Sequence, residues 1–429
     1  MKNRLLILIL MTAFAGNISA QKIITLRECY DRAASSNAIA GEKDAYGEIS
    51  EIKNSNLSKS WLPSLDANAS ASYMSDVVDF KNAMASNPAL ASMLTPMPHD
   101  QYKLTLDINQ VIYDGGAIKS GKAMEEAELN VNRKQTETDL YKLRSQVNGY
   151  YYNLLLLERQ KELLTNYLTL INKKIESIQS GISSGAVLKS DADVLASEKL
   201  KLEQQLTENG LRRTALLKNL AELTGMEIED NSEFVLPEAP AELTGELNRP
   251  ELQLFDMRRN QLSAGLMMSQ SKRMPKIFGF ATLGYGNPPG NDFFNNKFDT
   301  YYFVGGGIKW NIFDWNRVKN EKKVITLQQG IIENRKKDLE TNLNMQLQTK
   351  TAEISSLKTL LNTDTELISL RKRITATAGS QYANGTITAT EYLNELNAEH
   401  QAEINYEIHR INLSMAMTEY LNISGKDLE

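Results

Sequence analysis

The chain has 429 residues, 48 Lys and Arg against 53 Asp and Glu, 7% aromatic residues and a single cysteine. A net charge of −5 gives no reason to propose nucleic acid or an anionic surface as partner, and one cysteine excludes an intramolecular disulfide. Low aromatic and proline content argues against a compact multi-domain enzyme and favours long helices. Residues 1–20 place Lys2 and Arg4 before an apolar run from Leu5 to Ala15, with Ala20 as a small residue at the end, which reads as a secretory signal peptide. Its removal leaves 46 basic against 53 acidic residues, a balance of about −7. No other segment approaches eighteen uninterrupted apolar residues, so strands must carry any membrane crossing of the exported chain.

Past that leader, "TLRE" at 25–28 predicts a capped helix start, Cys29 lies within the helix as a buried thiol, and Pro63 ends the helix. A strand over 64–73 and a long loop follow. In "LTLDINQVIY", 104–113, Leu104, Leu106 and Ile108 then alternate with Lys103, Thr105, Asp107 and Asn109. After Gly116 a helix is predicted to about residue 180, roughly 95 Å at 1.5 Å per residue. Its seam runs through Leu140, Leu143, Val147, Tyr150, Leu154, Leu157, Leu164, Leu168, Ile171, Ile175, Ile178 and Ile182 in steps of three and four, with only Lys161 breaking the series, the spacing of a left-handed coiled coil. Gly181 and Gly185 turn the chain, and "SDADVL" opens an antiparallel helix. The acidic, proline-bearing stretch 231–248 reads as a linker.

The plan then repeats. "WLPSLDANASASY" at 61–73 aligns with "RMPKIFGFATLGY" at 273–285, an offset of 212, whereas "VIYDGG" at 111–116 matches "NIFDWN" at 311–316 at an offset of 200. The difference of 12 is the difference between the intervening segments, 27 residues at 74–100 and 15 at 286–300. Gly185 with Gly385 and Gly225 with Gly425 keep the second offset. The expected organisation is a first structural repeat over 21–230 (helix, strand, loop, strand, two long helices), the linker 231–248, a second repeat over 249–425, and a tail at 426–429. Second-half strands are expected near 276–285 and 301–313, the latter with Ile308, Trp310 and Ile312 on one parity.

Strands of about ten residues are long enough to cross a bilayer when tilted, and four strands cannot close a barrel. Copies must therefore share one: two chains give eight strands and a filled lumen, three give twelve and room for a passage. Leu104, Leu106, Ile108, Ile308, Trp310 and Ile312 would face lipid, and the polar parity of 103–109 would line the passage. Catalytic signals are missing. "GAIKSGKA" at 116–123 nearly spells a phosphate-binding loop but ends in Ala123 where Ser or Thr should stand. His400 and His409 are nine apart, off ligand spacing, and no nucleophile or carboxylate pair stands in a catalytic setting. No cofactor, metal or enzyme activity is expected.

On "ITLRECYDRAASSN", "RPEL", the paired "VIYDGG" and "NIFDWN", and the paired turns "SSGAVLKSDADVL" and "YANGTITATEYL", the chain resembles the TolC-like outer-membrane efflux and secretion channels of Gram-negative bacteria. The resemblance implies a mainly α fold with β: long antiparallel coiled-coil helices forming a periplasmic α-barrel, and four strands per chain in a 12-stranded transmembrane β-barrel of a homotrimer. It implies a passive exit duct of a tripartite efflux pump or type I secretion system, set in outer-membrane lipid. The partners implied are a periplasmic adaptor (membrane fusion) protein and, through it, an inner-membrane transporter. Asp191, Tyr382 and Glu391 match positions of the family's periplasmic gate. Asn394 stands where the best-known member has a second aspartate and Ile387 where it has an arginine, which thins the closing network. Gly185, Ala186, Val187 and Leu188 with Gly385, Thr386 and Ile387 would form the adaptor-docking tips. The alternative is a periplasmic coiled-coil scaffold or adaptor without channel activity.

Overall fold

A computed structural model of the chain describes residues 23–78, 89, 96–183, 189–238, 245–292 and 295–427. Residues 1–20, read as a signal peptide, and the predicted docking residues Gly185 to Leu188 lie outside these residues. The chain divides into two compact units. One takes the described residues up to 42, 134–253 and those from 336 onward; the other takes 43–133 and 254–335.

In chain order the elements are β1 (Ile23–Ile24), α1 (Leu26–Ser36), a 3-10 turn (Ala38–Gly41), α2 (Glu42–Lys59), β2 (Ser64–Tyr73), β3 (Asp100–Tyr113), α3 (Ala117–Tyr141), α4 (Leu143–Ser183) and α5 (Lys189–Thr224). There follow β4 (Glu233–Phe234), α6 (Pro250–Ser271), β5 (Lys276–Asn287), β6 (Asp299–Lys309), α7 (Arg317–Ala383) and α8 (Ala389–Ser424). No helix among the described residues is long and apolar enough to cross a membrane.

The helical unit is built on α4. Thr25 caps α1 by accepting the Glu28 amide at 3.2 Å. Asn37 then holds an extended backbone and accepts the Ile39 amide at 3.1 Å, so the single helix expected up to Pro63 is interrupted there by a 3-10 turn. The helix expected from Gly116 to about 180 is likewise interrupted, at Lys142 between α3 and α4. The main core gathers Val147, Tyr151, Tyr152 and Leu154 of α4, Leu26 and Cys29 of α1, Leu217 and Leu220 of α5, and Ile411 of α8. Burying each large apolar side chain contributes about 1.5–3 kcal/mol. Cys29 is fully buried, and burial pushes its thiol up to about 12, which disfavours the thiolate and fits a packing role. Tyr152 is buried with its hydroxyl 2.7 Å from Thr418 Oγ1, and the Tyr151 hydroxyl donates to the Ile24 carbonyl at 2.9 Å. Within the stretch read as a linker, β4 pairs in parallel with β1 and Phe234 enters this core against Tyr151. A further cluster joins Leu347, Ile354 and Leu357 of α7 to Ala416, Met417 and Tyr420 of α8.

The other unit holds a four-stranded antiparallel sheet in the order β2-β3-β5-β6. β2 and β6 are its edges, 10 and 11 residues long. The strand expected to run to 313 stops at Lys309, whose partner Lys276 follows Pro275. Proline has no amide hydrogen to continue the ladder, so Trp310 and Ile312 lie past the last paired residue.

Candidate functional site: a two-faced sheet and a helical hairpin tip

Strand register decides which side chains share a face. Leu104, Leu106 and Ile108 of β3 pair with Ala69, Ala67 and Leu65 of β2 and with Tyr285, Leu283 and Ala281 of β5. Across the β5–β6 pair, Ala281, Leu283 and Ile277 meet Val304, Tyr302 and Ile308. One face of the sheet is therefore almost wholly apolar, and Leu104, Ile108, Leu283, Tyr302, Val304 and Ile308 stand exposed on it. Four of the six residues expected to face lipid, Leu104, Leu106, Ile108 and Ile308, fall on this face; Trp310 and Ile312 are exposed beyond the end of β6. An exposed apolar face of this size is costly in water.

The opposite face differs between its two strand pairs. From β2 and β3 it takes Asp66, Asn68, Thr105 and Asp107. Asp107 accepts from Asn68 Nδ2 at 2.8 Å, from Thr105 Oγ1 at 2.9 Å and from Thr282 Oγ1 of β5 at 2.5 Å. From β5 and β6 it takes rings, which parity alone did not reveal. Phe280 lies opposite Gly305 and Phe278 opposite Gly307. A Cβ on Gly305 would stand 2.5 Å from Phe280 Cζ, and one on Gly307 2.6 Å from Phe278 Cζ. The "GGG" run is thus the floor on which two phenyl rings lie.

In the helical unit, the ends of α4, α5, α7 and α8 pack around Ile171, Ile178, Leu195, Ala378, Tyr392 and Leu393. The α7–α8 turn is fixed by local bonding. Gly385, at φ +70°, donates to the Tyr382 carbonyl at 3.0 Å, and Thr386 donates to the Gln381 carbonyl at 2.9 Å, the Schellman pattern that closes a helix. Thr388 then caps α8. Its hydroxyl accepts the Glu391 amide at 3.3 Å, and the Glu391 carboxylate accepts the Thr388 amide at 2.8 Å. These bonds hold the Glu391 carboxyl below the usual carboxylate range.

Of the residues matched to the gate, Tyr382 and Asp191 are brought into electrostatic reach of each other. Burial, then the Asp191 charge, raises the Tyr382 phenol. The Tyr382 hydroxyl is buried without a hydrogen-bond partner among the described residues, and its ring stacks on Tyr392 at 5.4 Å and 3°. Lys174 Nζ sits 5.0 Å from the Tyr392 ring centre. Glu391 and Asn394 are exposed on α8. Gly385 and Thr386 are exposed at the turn, whereas Ile387 is half-buried against the cluster instead of standing free. Sequence reading missed Tyr392 and Lys174; the i to i+4 spacing of Tyr392 and the apolar Leu396 on one helix face was the available signal for the first. Below them, the Tyr167 ring stacks on His400 at 4.6 Å. Burial lowers the His400 pKa from its ordinary 6.5, and its Nε2 has no partner.

A sheet apolar on one face, of bilayer-crossing strand length and carried by a chain of long helices, defines a contributor to a membrane β-barrel with a helical extension. The family model described as outer membrane efflux protein matches residues 56–226 and 246–422, and the chain belongs to that family. It is a transport protein of the outer membrane with a periplasmic extension, and not an enzyme. Among solved structures it is similar to the outer membrane channel CmeC of Campylobacter jejuni, at 16% identity over 93% of this chain and 85% of that one, with a TM-score of 0.64. It is similar to the outer membrane protein VceC of Vibrio cholerae at 14% identity, 94% and 97% coverage and a TM-score of 0.67. The MtrE outer membrane channel of Neisseria gonorrhoeae, solved in an open state, matches at 15% identity, 94% and 89% coverage and a TM-score of 0.64. At these identities the likeness carries the fold alone. No curated protein matches the chain.

Proposed function

We propose that three copies of this chain form a 12-stranded barrel in the outer membrane, the exit duct of a tripartite efflux pump or a type I secretion system. The observation that carries this reading is the open sheet: among the described residues, β2 and β6 are unpaired edges 10 and 11 residues long on strands that expose an apolar face. In hydrocarbon every backbone N–H and C=O needs a partner, so the β6 edge of one copy takes the β2 edge of the next. Three copies give twelve strands and a lumen wide enough for passage, whereas two fill it with side chains. Transport through such a duct is passive.

The order of elements supports two structural repeats, 21–230 and 249–425, joined by 231–248. Asp191, Tyr382, Glu391 and Asn394 act as the periplasmic gate, and the turns at 185–188 and 385–387 receive the periplasmic adaptor, which links the duct to an inner-membrane transporter. Stacking of Tyr382 on Tyr392 beside Asp191 supports the gate, and the exposed Gly385 and Thr386 support docking. Purified protein in planar bilayers tests the reading. Cation-preferring single channels are expected, with the preference reduced by Glu391→Gln and closed-state conductance raised by Asp191→Asn or Tyr382→Ala. Unchanged currents in all three variants would remove these residues from the gate. Cysteines at Ala69 of β2 and Val304 of β6 are expected to cross-link copies into trimers, and a cross-linked dimer as the end product would overturn the stoichiometry.

A further inference from the structure

Whole-chain charge conceals a local inversion. At one end of the sheet β2 and β5 begin, β3 and β6 finish, and helices α3 and α7 depart. All three tryptophans of the chain are at this end. Trp61 is 41% exposed and its carbonyl accepts from Gln110 Nε2 near the end of β3. Trp310 is 57% exposed, its indole donating to the Arg273 carbonyl at 3.1 Å. Trp315 is 80% exposed and packs edge-on against Phe313 at 4.7 Å.

Directly beyond these indoles, the first two turns of the departing helices are rich in cations. Lys119 and Lys122 open α3; Arg317, Lys319, Lys322 and Lys323 open α7. Neither helix has an acidic residue in its first turn, although Asp114 and Asp314 just before them accept the Ile118 and Val318 amides, and Glu321, among the α7 cations, accepts from Ser269 Oγ at 2.8 Å. A helix N-terminus carries partial positive charge, so it is the wrong end for cations if helix stability were the only demand. No ion pair among the described residues engages any of the six, and all are exposed. The opposite end of the sheet begins β3 with Asp100 and β6 with Asp299.

Backbone conformation adds a second departure from what helix starts require. The first repeat passes this corner with Gly115 and Gly116 at φ +71° and +82°. At the matching positions Trp315 and Asn316 hold φ +53° and +62°, a region that side chains disfavour. The chain accepts that strain and presents an indole where glycine would suffice. Indoles settle at a bilayer's headgroup level, and clustered Lys and Arg next to them meet lipid phosphates.

We propose that this end of the sheet is a binding collar for anionic glycerophospholipids in the periplasmic leaflet. The three indoles sit at the headgroup boundary, and the Lys and Arg of α3 and α7 pair with phosphodiester headgroups. The proposal rests on the barrel reading, and its test separates the two. The full chain is reconstituted in vesicles of phosphatidylcholine alone and with one fifth phosphatidylglycerol. Brominated lipid is expected to quench tryptophan emission in both; absence of quenching in both would sink the barrel reading itself. Phosphatidylglycerol retained by detergent-extracted protein is expected to exceed its bulk share, to decline as salt rises, and to drop about tenfold in Lys319→Gln/Lys322→Gln/Lys323→Gln. Quenching without anionic enrichment, or enrichment unchanged in the triple variant, would overturn the collar while leaving the barrel intact. Trp315→Gly is expected to weaken quenching although it relieves the backbone; undiminished quenching counts against the indole's role.

Discussion

The helical unit and the sheet treat the same kinds of side chain in opposite ways. Tyr152, on α4, is buried with its hydroxyl held by Thr418, and Leu154 beside it is fully enclosed. Tyr302 and Val304, on β6, face outward with nothing over them. One region is organised for water, with its apolar stripe turned inward; the other is organised for a solvent that is itself apolar. The family's place in the outer membrane accounts for the difference, and substitutions in the two regions should therefore be felt in different measurements, membrane insertion for the sheet and denaturant stability for the helices.

The largest loss of protein from the membrane is expected on the apolar face. Leu106→Lys places a cation among Ala67 and Leu283 and should cost about 2–4 kcal/mol of folding in lipid, read as loss of protein from the outer-membrane fraction. Thr105→Lys, one residue away on the polar face, should leave that fraction unchanged; equal losses would erase the distinction between faces. In the helical core Leu154→Ala should cost about 2–5 kcal/mol in denaturant unfolding followed by far-ultraviolet circular dichroism, without altering membrane insertion. Thr388→Ala removes the acceptor of the α8 cap and should cost about 1 kcal/mol, seen as faster amide exchange in its first turn.

The smallest effect concerns pH. Burial lowers the His400 pKa below 6.5, so the folded state binds fewer protons than the unfolded one, and stability at the hairpin rises with pH. As pH falls through 6.5 the penalty begins, and it is complete once pH has passed the lowered folded value. Protection factors of amides near Tyr167, corrected for the intrinsic exchange rate at each pH, should fall between pH 7 and 5, and His400→Gln should remove that dependence.

Much of this was legible in the sequence because two simple periods carry it. Alternation at 103–109 fixed the two faces of β3 before any partner strand was known, and steps of three and four found Val147, Leu154, Leu157, Leu164, Ile171 and Ile178 at buried positions. A single seam could not reveal Tyr151 and Leu155, because α4 packs against α1, α5 and α8, and partners distant in sequence leave no local period. The pairing of β4 with β1 was hidden for the same reason: two residues on each side, 210 positions apart, have no pattern to read. Family resemblance pointed to Tyr382 and Asp191, but the partner ring of Tyr392 emerged only from the packed hairpin.

The account turns on which parity of β3 meets water. Single cysteines placed at each position from 103 to 109, in a Cys29→Ser background, and challenged in intact outer membranes with a charged thiol reagent, measure this directly. Labelling at 103, 105, 107 and 109 with protection at 104, 106 and 108 is the expected result. Uniform labelling along the strand would contradict it, since both faces would then be wet.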